Sequence, residues 1–105
     1  MMEDKMTILC VSNSYEQKYY LNPEFMGLPK TVKDDLQIIS VLFTEDVGGV
    51  ILLELDEEGN LQIKTEAYEE DILYDEIGSV LKVKQLREDK KELFEQLEQY
   101  FQTFF

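Results

Sequence analysis

The sequence predicts an α+β fold: a small antiparallel sheet built on a central β-hairpin, packed against a middle helix and a long C-terminal helix. Three observations predict it. Residues 50–67 read as two strands around a polar, glycine-containing turn; residues 30–45 repeat apolar side chains at helical spacing; and the chain from Glu69 onward does so again. At 105 residues there is room for one core, so 1–105 is read as a single domain.

Taken in order, Met6 to Ser12 alternates weakly and is expected to be a strand, with Asn13-Ser14 as a turn. Lys18-Tyr19-Tyr20-Leu21 is rich in β-formers and stops at Asn22-Pro23, because the residue before proline is pushed away from helix. A loop through Phe25, Met26 and Gly27 leads to Pro29, which suits a first helical turn, and Thr31-Val32-Lys33-Asp34 resembles a capping box. Val32, Leu36, Ile39 and Phe43 recur at spacings of four, three and four, one face of a helix. Ile38, Ile39, Val41 and Phe43 are also strand formers, so a strand over 36–43 is the alternative; the length of the periodic segment and its start signal favour helix.

Gly48-Gly49 then breaks the chain. Ile51, Leu53 and Leu55 share one side of a strand, and Val50 and Leu52 add apolar groups to its other side. Asp56 to Asn60 is the turn, and Leu61, Ile63, Thr65 and Ala67 alternate with polar residues as a strand with one wet face does. From Glu69 a helical pattern resumes. Leu73, Ile77, Val80 and Leu81 form one stripe, Gly78 offers a bend, and Leu86, Leu93, Leu97, Tyr100 and Phe104 form a later stripe interrupted by Lys90.

Charge is unevenly distributed. The net charge is −13, of which residues 45–79 carry twelve acids against Lys64 alone. A surface of that sign repels nucleic-acid phosphates and anionic membranes, so direct binding to either is not expected. The absence of histidine excludes imidazole catalysis and imidazole metal ligands, and a single cysteine excludes an internal disulfide or a thiolate zinc site. The N-terminus is acidic and the apolar run Met6–Val11 is short, unlike a secretory leader or a span of about twenty apolar residues, so a cytoplasmic location is expected. Cys10 falls inside that run and is expected to be a buried, inert thiol.

Candidate chemistry is sparse. Glu66, Glu69, Glu70, Asp71, Asp75 and Glu76 are the densest carboxylates; on a helix Asp71 and Asp75 share a face flanked by Glu69 and Glu76, a set suited to a hard divalent cation or to a carboxyl pair for acid–base work. The competing reading is that these acids favour the positive end of a helix dipole. Asp56-Glu57-Glu58-Gly59-Asn60 fails as a calcium loop, with Leu61 where glycine belongs and Ala67 where glutamate belongs. Ser12, Ser14, Ser40 and Ser79 have no imidazole to activate them, and no cofactor motif is present.

Aromatics are the remaining signal. Tyr15, Tyr19, Tyr20 and Phe25 cluster around the irregular part of the chain; Tyr19 and Tyr20 are adjacent, so one should be more accessible than the other. Tyr100, Phe101, Phe104 and Phe105 lie within the last six residues, and burying such side chains is worth about 1.5–3 kcal/mol each. They are expected to pack on their own sheet, on a second copy or on another protein. Tyr19, Tyr20, Tyr100, Phe101, Phe104 and Phe105 are therefore the candidate interaction surface.

Four stretches together, Gln17-Lys18-Tyr19-Tyr20, Glu24-Phe25 with Gly27-Leu28-Pro29, Val41 through Gly49 and Asp75-Glu76-Ile77-Gly78-Ser79, resemble a small bacterial family of uncharacterised domains. That resemblance implies an intact, single-domain cytoplasmic protein; the family has no assigned activity, ligand or catalytic residue to carry over to these positions. The residues favour a non-enzymatic, homodimeric binding or adaptor module that turns its acidic middle third toward a basic partner, without a cofactor. A carboxylate-based, divalent-metal-dependent enzyme or binder centred on 66–76 and a mimic of nucleic-acid charge are the alternatives.

Overall fold

The computed structural model describes residues 5–105; the acidic start Met1–Asp4, used above in reading the N-terminus, lies outside the described residues. Strand β1 (Thr7–Asn13) pairs antiparallel with β2 (Lys18–Leu21) on one side and with β3 (Val50–Leu55) on the other, and β3 pairs with β4 (Leu61–Glu66), giving the order β2-β1-β3-β4. Three helices complete the α+β fold: α1 (Lys30–Val47), α2 (Glu76–Asp89) and α3 (Lys91–Phe104). Among the described residues no helix is long and apolar enough to cross a membrane.

Alternation decides which sheet face meets the helices. Ile51, Leu53, Leu55 and Leu61 are buried on the inner face, while Val11, Tyr20, Leu52 and Lys64 share the outer one. The register of β1 against β3 shifts between Ile8 and Cys10, a bulge that lets the consecutive residues Leu9 and Cys10 both be fully buried.

Residues 36–43 are helical, so the strand alternative is discarded. Leu36, Ile39, Ser40, Phe43 and Thr44 are the buried face of α1. Where α1 crosses β1 the side chains are small and hydroxylic: Ser12 and Thr44 share a hydrogen bond of 2.9 Å, and Cys10 Sγ lies 3.7 Å from Ser40 Oγ. The expected capping box does not form. Pro29 itself occupies the cap position without a side-chain bond, placing Thr31 inside the first turn. Gly48 and Gly49, both at positive φ, turn the chain into β3.

The β3–β4 turn is organised by Asp56, whose carboxylate accepts the backbone N–H groups of Glu58 and Asn60 and the Gln62 amide. These donors, the Asn60 backbone foremost, hold the Asp56 carboxyl below its ordinary pKa. The turn is a hairpin end, with Gly59 at φ +84°.

Two sequence expectations change in the C-terminal half. The stretch 69–75 is not helical: α2 begins at Glu76 with Asp75 as its cap, accepting the Gly78 N–H at 2.9 Å. The long C-terminal helix is in two pieces, and the break falls at Lys90 (φ −114°, ψ 26°), not at Gly78. Gly78 sits in the first turn, where Asp75 satisfies its N–H; Lys90, the polar interruption of the later apolar stripe, is where one helix ends and the next begins, with Leu86 before it and Leu93 and Leu97 after it packed in the core. Arg87 at the end of α2 donates to the Leu61 carbonyl (3.1 Å), and Glu98 of α3 accepts the Leu61 N–H (2.7 Å).

Candidate protein-interaction site

Of the acids singled out above, Glu66 ends β4 and Glu76 opens α2, while Glu69, Glu70, Asp71 and Asp75 lie in the loop between them, which the fold fixes from three sides. Tyr15, on the β1–β2 turn, stacks on Tyr68 with ring centroids 3.9 Å apart. Its hydroxyl donates to Asp71 Oδ2 at 2.6 Å and accepts the Tyr68 backbone N–H at 3.2 Å. The bond to Asp71, above all, pushes the Tyr15 pKa up. Tyr74 donates its hydroxyl to Ser79 at 2.7 Å and packs against Gly49. Backbone bonds from Asp71 N to Tyr68 O and from Ile72 N to Glu70 O close the turn.

This scaffold displays rather than hides apolar groups. Ile72 and Leu73 are each 89% exposed, with Glu69, Glu70 and Asp71 before them and Asp75 and Glu76 after. Ile77, Val80 and Leu81 of α2, and Ile38 and Leu42 of α1, are also exposed. Leu73, Ile77, Val80 and Leu81 therefore do not form a core stripe: Ser79, Val83 and Leu86 turn α2 toward the interior instead. Between α1 and α2 runs a groove of about 400 Å³ that includes Ile39, Leu42, Phe43, Gln85 and Leu86 and is bridged by Asp46 and Lys82 at 2.5 Å.

The carboxylates proposed as metal ligands are dispersed. Asp71 is committed to Tyr15 and Asp75 to its helix cap, Glu76 lies in the first turn of α2, and Glu69 is on the exposed part of the loop. Because 69–75 is not helical, Asp71 and Asp75 do not share a helix face. Among the described residues no group of three or more Asp, Glu, Cys or His is placed to hold a metal ion.

A second depression, about 600 Å³, lies between the β1–β2 turn and α1 and includes Ser12, Ser14, Lys18, Tyr19, Gln37 and Thr44. Its hydroxyls are largely engaged within the protein, Ser12 with Thr44 and Ser14 with the Gly49 carbonyl at 2.7 Å. Ser40 and Ser79 are likewise engaged, with Cys10 and Tyr74.

A family model matches residues 6–105, which takes in every strand and helix of this fold. The chain belongs to DUF6145, a family of unknown function. This agrees with the family resemblance read from the sequence. No curated protein and no solved structure matched.

The aromatics expected to mediate interaction are divided in this DUF6145 chain. Tyr19 and Tyr20 face opposite ways, Tyr19 half-buried and Tyr20 half-exposed. The Tyr19 hydroxyl is enclosed without a protein hydrogen-bond partner, and burial, with Cys10 alongside, pushes its pKa up. At the C-terminus Tyr100 and Phe101 pack against the core of their own chain, and Phe105 stacks on the buried Phe25 at 4.7 Å. Phe104 leans on Tyr100 at 4.8 Å yet remains 70% exposed.

Burial pushes the Cys10 thiol up to about 11, against a weaker opposing hydrogen bond from Ser40. At pH 8 the folded chain then holds almost no thiolate. Iodoacetamide is expected to leave Cys10 unmodified for hours in native buffer and to label it on addition of denaturant, as followed by mass spectrometry. Rapid native labelling would contradict the buried-thiol assignment.

Proposed function

We propose that this chain is a non-enzymatic, cytoplasmic protein-interaction module that docks a basic partner through the 67–75 loop. The observation that carries the reading is the pair Ile72 and Leu73, almost fully in water on a loop fixed by Tyr15, Tyr68, Tyr74 and Asp75. Holding two large aliphatic side chains in solvent forgoes about 1.5–3 kcal/mol apiece, a cost recovered when a partner covers them. The surrounding acids select what that partner is: an apolar pocket or helix face bordered by lysine and arginine, which an acidic rim attracts and an acidic surface would repel. Since the loop is preorganised, little ordering entropy opposes docking.

The test is calorimetric titration with a basic Lys/Leu amphipathic helical peptide. The wild-type chain is expected to bind it, less tightly in 1 M salt, where charge attraction is screened. Replacing both aliphatics (Ile72→Asp with Leu73→Asp) is expected to weaken binding at least about a hundredfold, as loss of roughly 3 kcal/mol implies. Equal affinity in the variant, or no heat from the wild type, would overturn the proposal.

A further inference from the structure

We propose that the cleft between the β1–β2 turn and α1 is a binding site for a small zwitterion of the free α-amino acid class. Its volume, about 600 Å³, is that of a small-molecule site, and groups of both charges border it. Two residues on its rim are ones that the local backbone disfavours, and each puts a polar side chain at the cleft.

The first is Gln17. It closes the turn between β1 and β2 at φ +53°, the one non-glycine residue at positive φ among the described residues. Glycine or asparagine is the usual occupant of such a turn position, because a Cβ there crowds the neighbouring backbone. The chain instead carries a long carboxamide, next to Lys18 on the rim. The second is Glu45, in the last turn of α1, where the helix dipole disfavours an acid and no basic residue of that turn offsets it. Asp46 beside it is compensated by Lys82, whereas neither Glu45 nor Lys18 forms an ion pair with a described residue. Departures from locally preferred residues collect where function uses the side chain.

The hydroxyls below the rim set the polarity of the wall. Thr44 donates its single proton back along α1, to the Val41 and Ser40 carbonyls at 3.1 and 3.3 Å, so Ser12 is the donor in the bond that the two hydroxyls share. Ser14 gives its proton to the Gly49 carbonyl. Half-buried on the cleft, Ser14 therefore meets a ligand only as an acceptor. An ammonium group finds the Glu45 carboxylate, the negative end of α1 and this oxygen. A carboxylate on the same molecule finds Lys18 on the hairpin side. Gln17 and Gln37 serve either end, since a carboxamide both donates and accepts, and Tyr19 supplies an aromatic wall. A ligand of one sign would leave Lys18 or Glu45 unmatched. The cleft shares no lining residue with the 67–75 loop, so this site does not depend on the peptide-binding reading.

Saturation-transfer NMR on the full chain with a mixture of the twenty free L-amino acids, then calorimetry with those that respond, tests this. At least one is expected to bind with a dissociation constant of about 1 mM or below. Its N-acetyl and methyl-ester forms, each lacking one charge, are expected to bind at least about tenfold more weakly, as loss of a charge-assisted hydrogen bond implies. Glu45→Gln and Lys18→Met are expected to weaken the parent amino acid to the same extent, with unchanged circular dichroism spectra. Gln17→Gly is expected to raise the melting temperature and yet weaken binding, a combination that a purely structural glutamine would not give. The peptide-blind double variant (Ile72→Asp with Leu73→Asp) is expected to bind the amino acid as the wild type does, so either proposal can fail without the other. No response from any of the twenty, or unchanged affinity in both Glu45→Gln and Lys18→Met, overturns the site. A methyl ester that binds as tightly as its parent overturns the zwitterion, and a lower melting temperature for Gln17→Gly overturns the role given to that turn.

Discussion

Phe25→Ala is expected to lower the free energy of unfolding by about 3–5 kcal/mol, a large fraction of the roughly 5–15 kcal/mol that holds a domain of this size together. Phe25 is fully buried although it lies on a short 3-10 turn, Pro23–Phe25, and not on a regular element. Phe105 stacks on its ring, and Phe101 and Tyr100 flank it at 6.3 Å. Truncation would remove both a core side chain and the ring against which the end of α3 is seated. Urea denaturation should therefore show a reduced midpoint, and hydrogen exchange should show residues 100–105 losing protection before the sheet does. Phe104→Ala, at a largely solvent-facing position, is expected to cost less than about 1 kcal/mol. Similar losses in the two variants would mean that Phe25 does not organise the C-terminal aromatics.

The second large effect is expected at Gly49. Its φ of +69° is a conformation that side chains with a Cβ adopt at a cost of about 1–2 kcal/mol. A Cβ there would also lie 2.5 Å from the Glu66 carbonyl oxygen and 2.6 Å from the Tyr74 ring. The carbonyl belongs to the β4 backbone and cannot give way, so overpacking adds about 1–3 kcal/mol. Gly49→Ala should then destabilise the fold by about 2–5 kcal/mol in thermal or urea melts, and it should displace Tyr74 and with it the anchored loop. Gly59→Ala is the informative comparison. Its φ is equally left-handed, but the closest atoms belong to the flexible end of Gln102, which can move aside, so a cost near 1 kcal/mol is expected. Equal costs at the two glycines would show that the contact with Glu66 and Tyr74 carries no energy.

Periodicity made much of this fold legible. The four-three-four spacing from Val32 to Phe43 marked the buried face of α1, and alternation through 50–66 marked the hairpin and its inner face. These are local patterns, and local geometry alone produces them. What was not legible depends on contacts between distant residues. The acids at 69–71 have the composition of a helix start, but Asp71 bonds to Tyr15, 56 residues away, and that pairing holds the segment as a loop. Nor can a helical stripe say what it faces. Ile77 and Leu81 recur as core residues do and yet point to water, while Ser79, Val83 and Leu86 turn inward. The one clue was that α2 carries apolar residues on more than one side. The same limit applies to the candidate site: the sequence located the acids, whereas the prominence of Ile72 and Leu73 emerges only once the tyrosines that prop up the loop are in place.

The hydrogen bonds from Arg87 and Glu98 to Leu61 have a consequence for colloidal behaviour. β4 is an outer strand, and outer strands offer their free amides and carbonyls as a template for runaway cross-chain stacking. At Leu61 both groups are already taken by side chains from the two C-terminal helices, so an incoming strand could not zip along β4 from that end without evicting them. The helices thus act as a guard rail against fibrous growth, and neutralising Glu98 would take away half of it while leaving the hydrophobic core untouched.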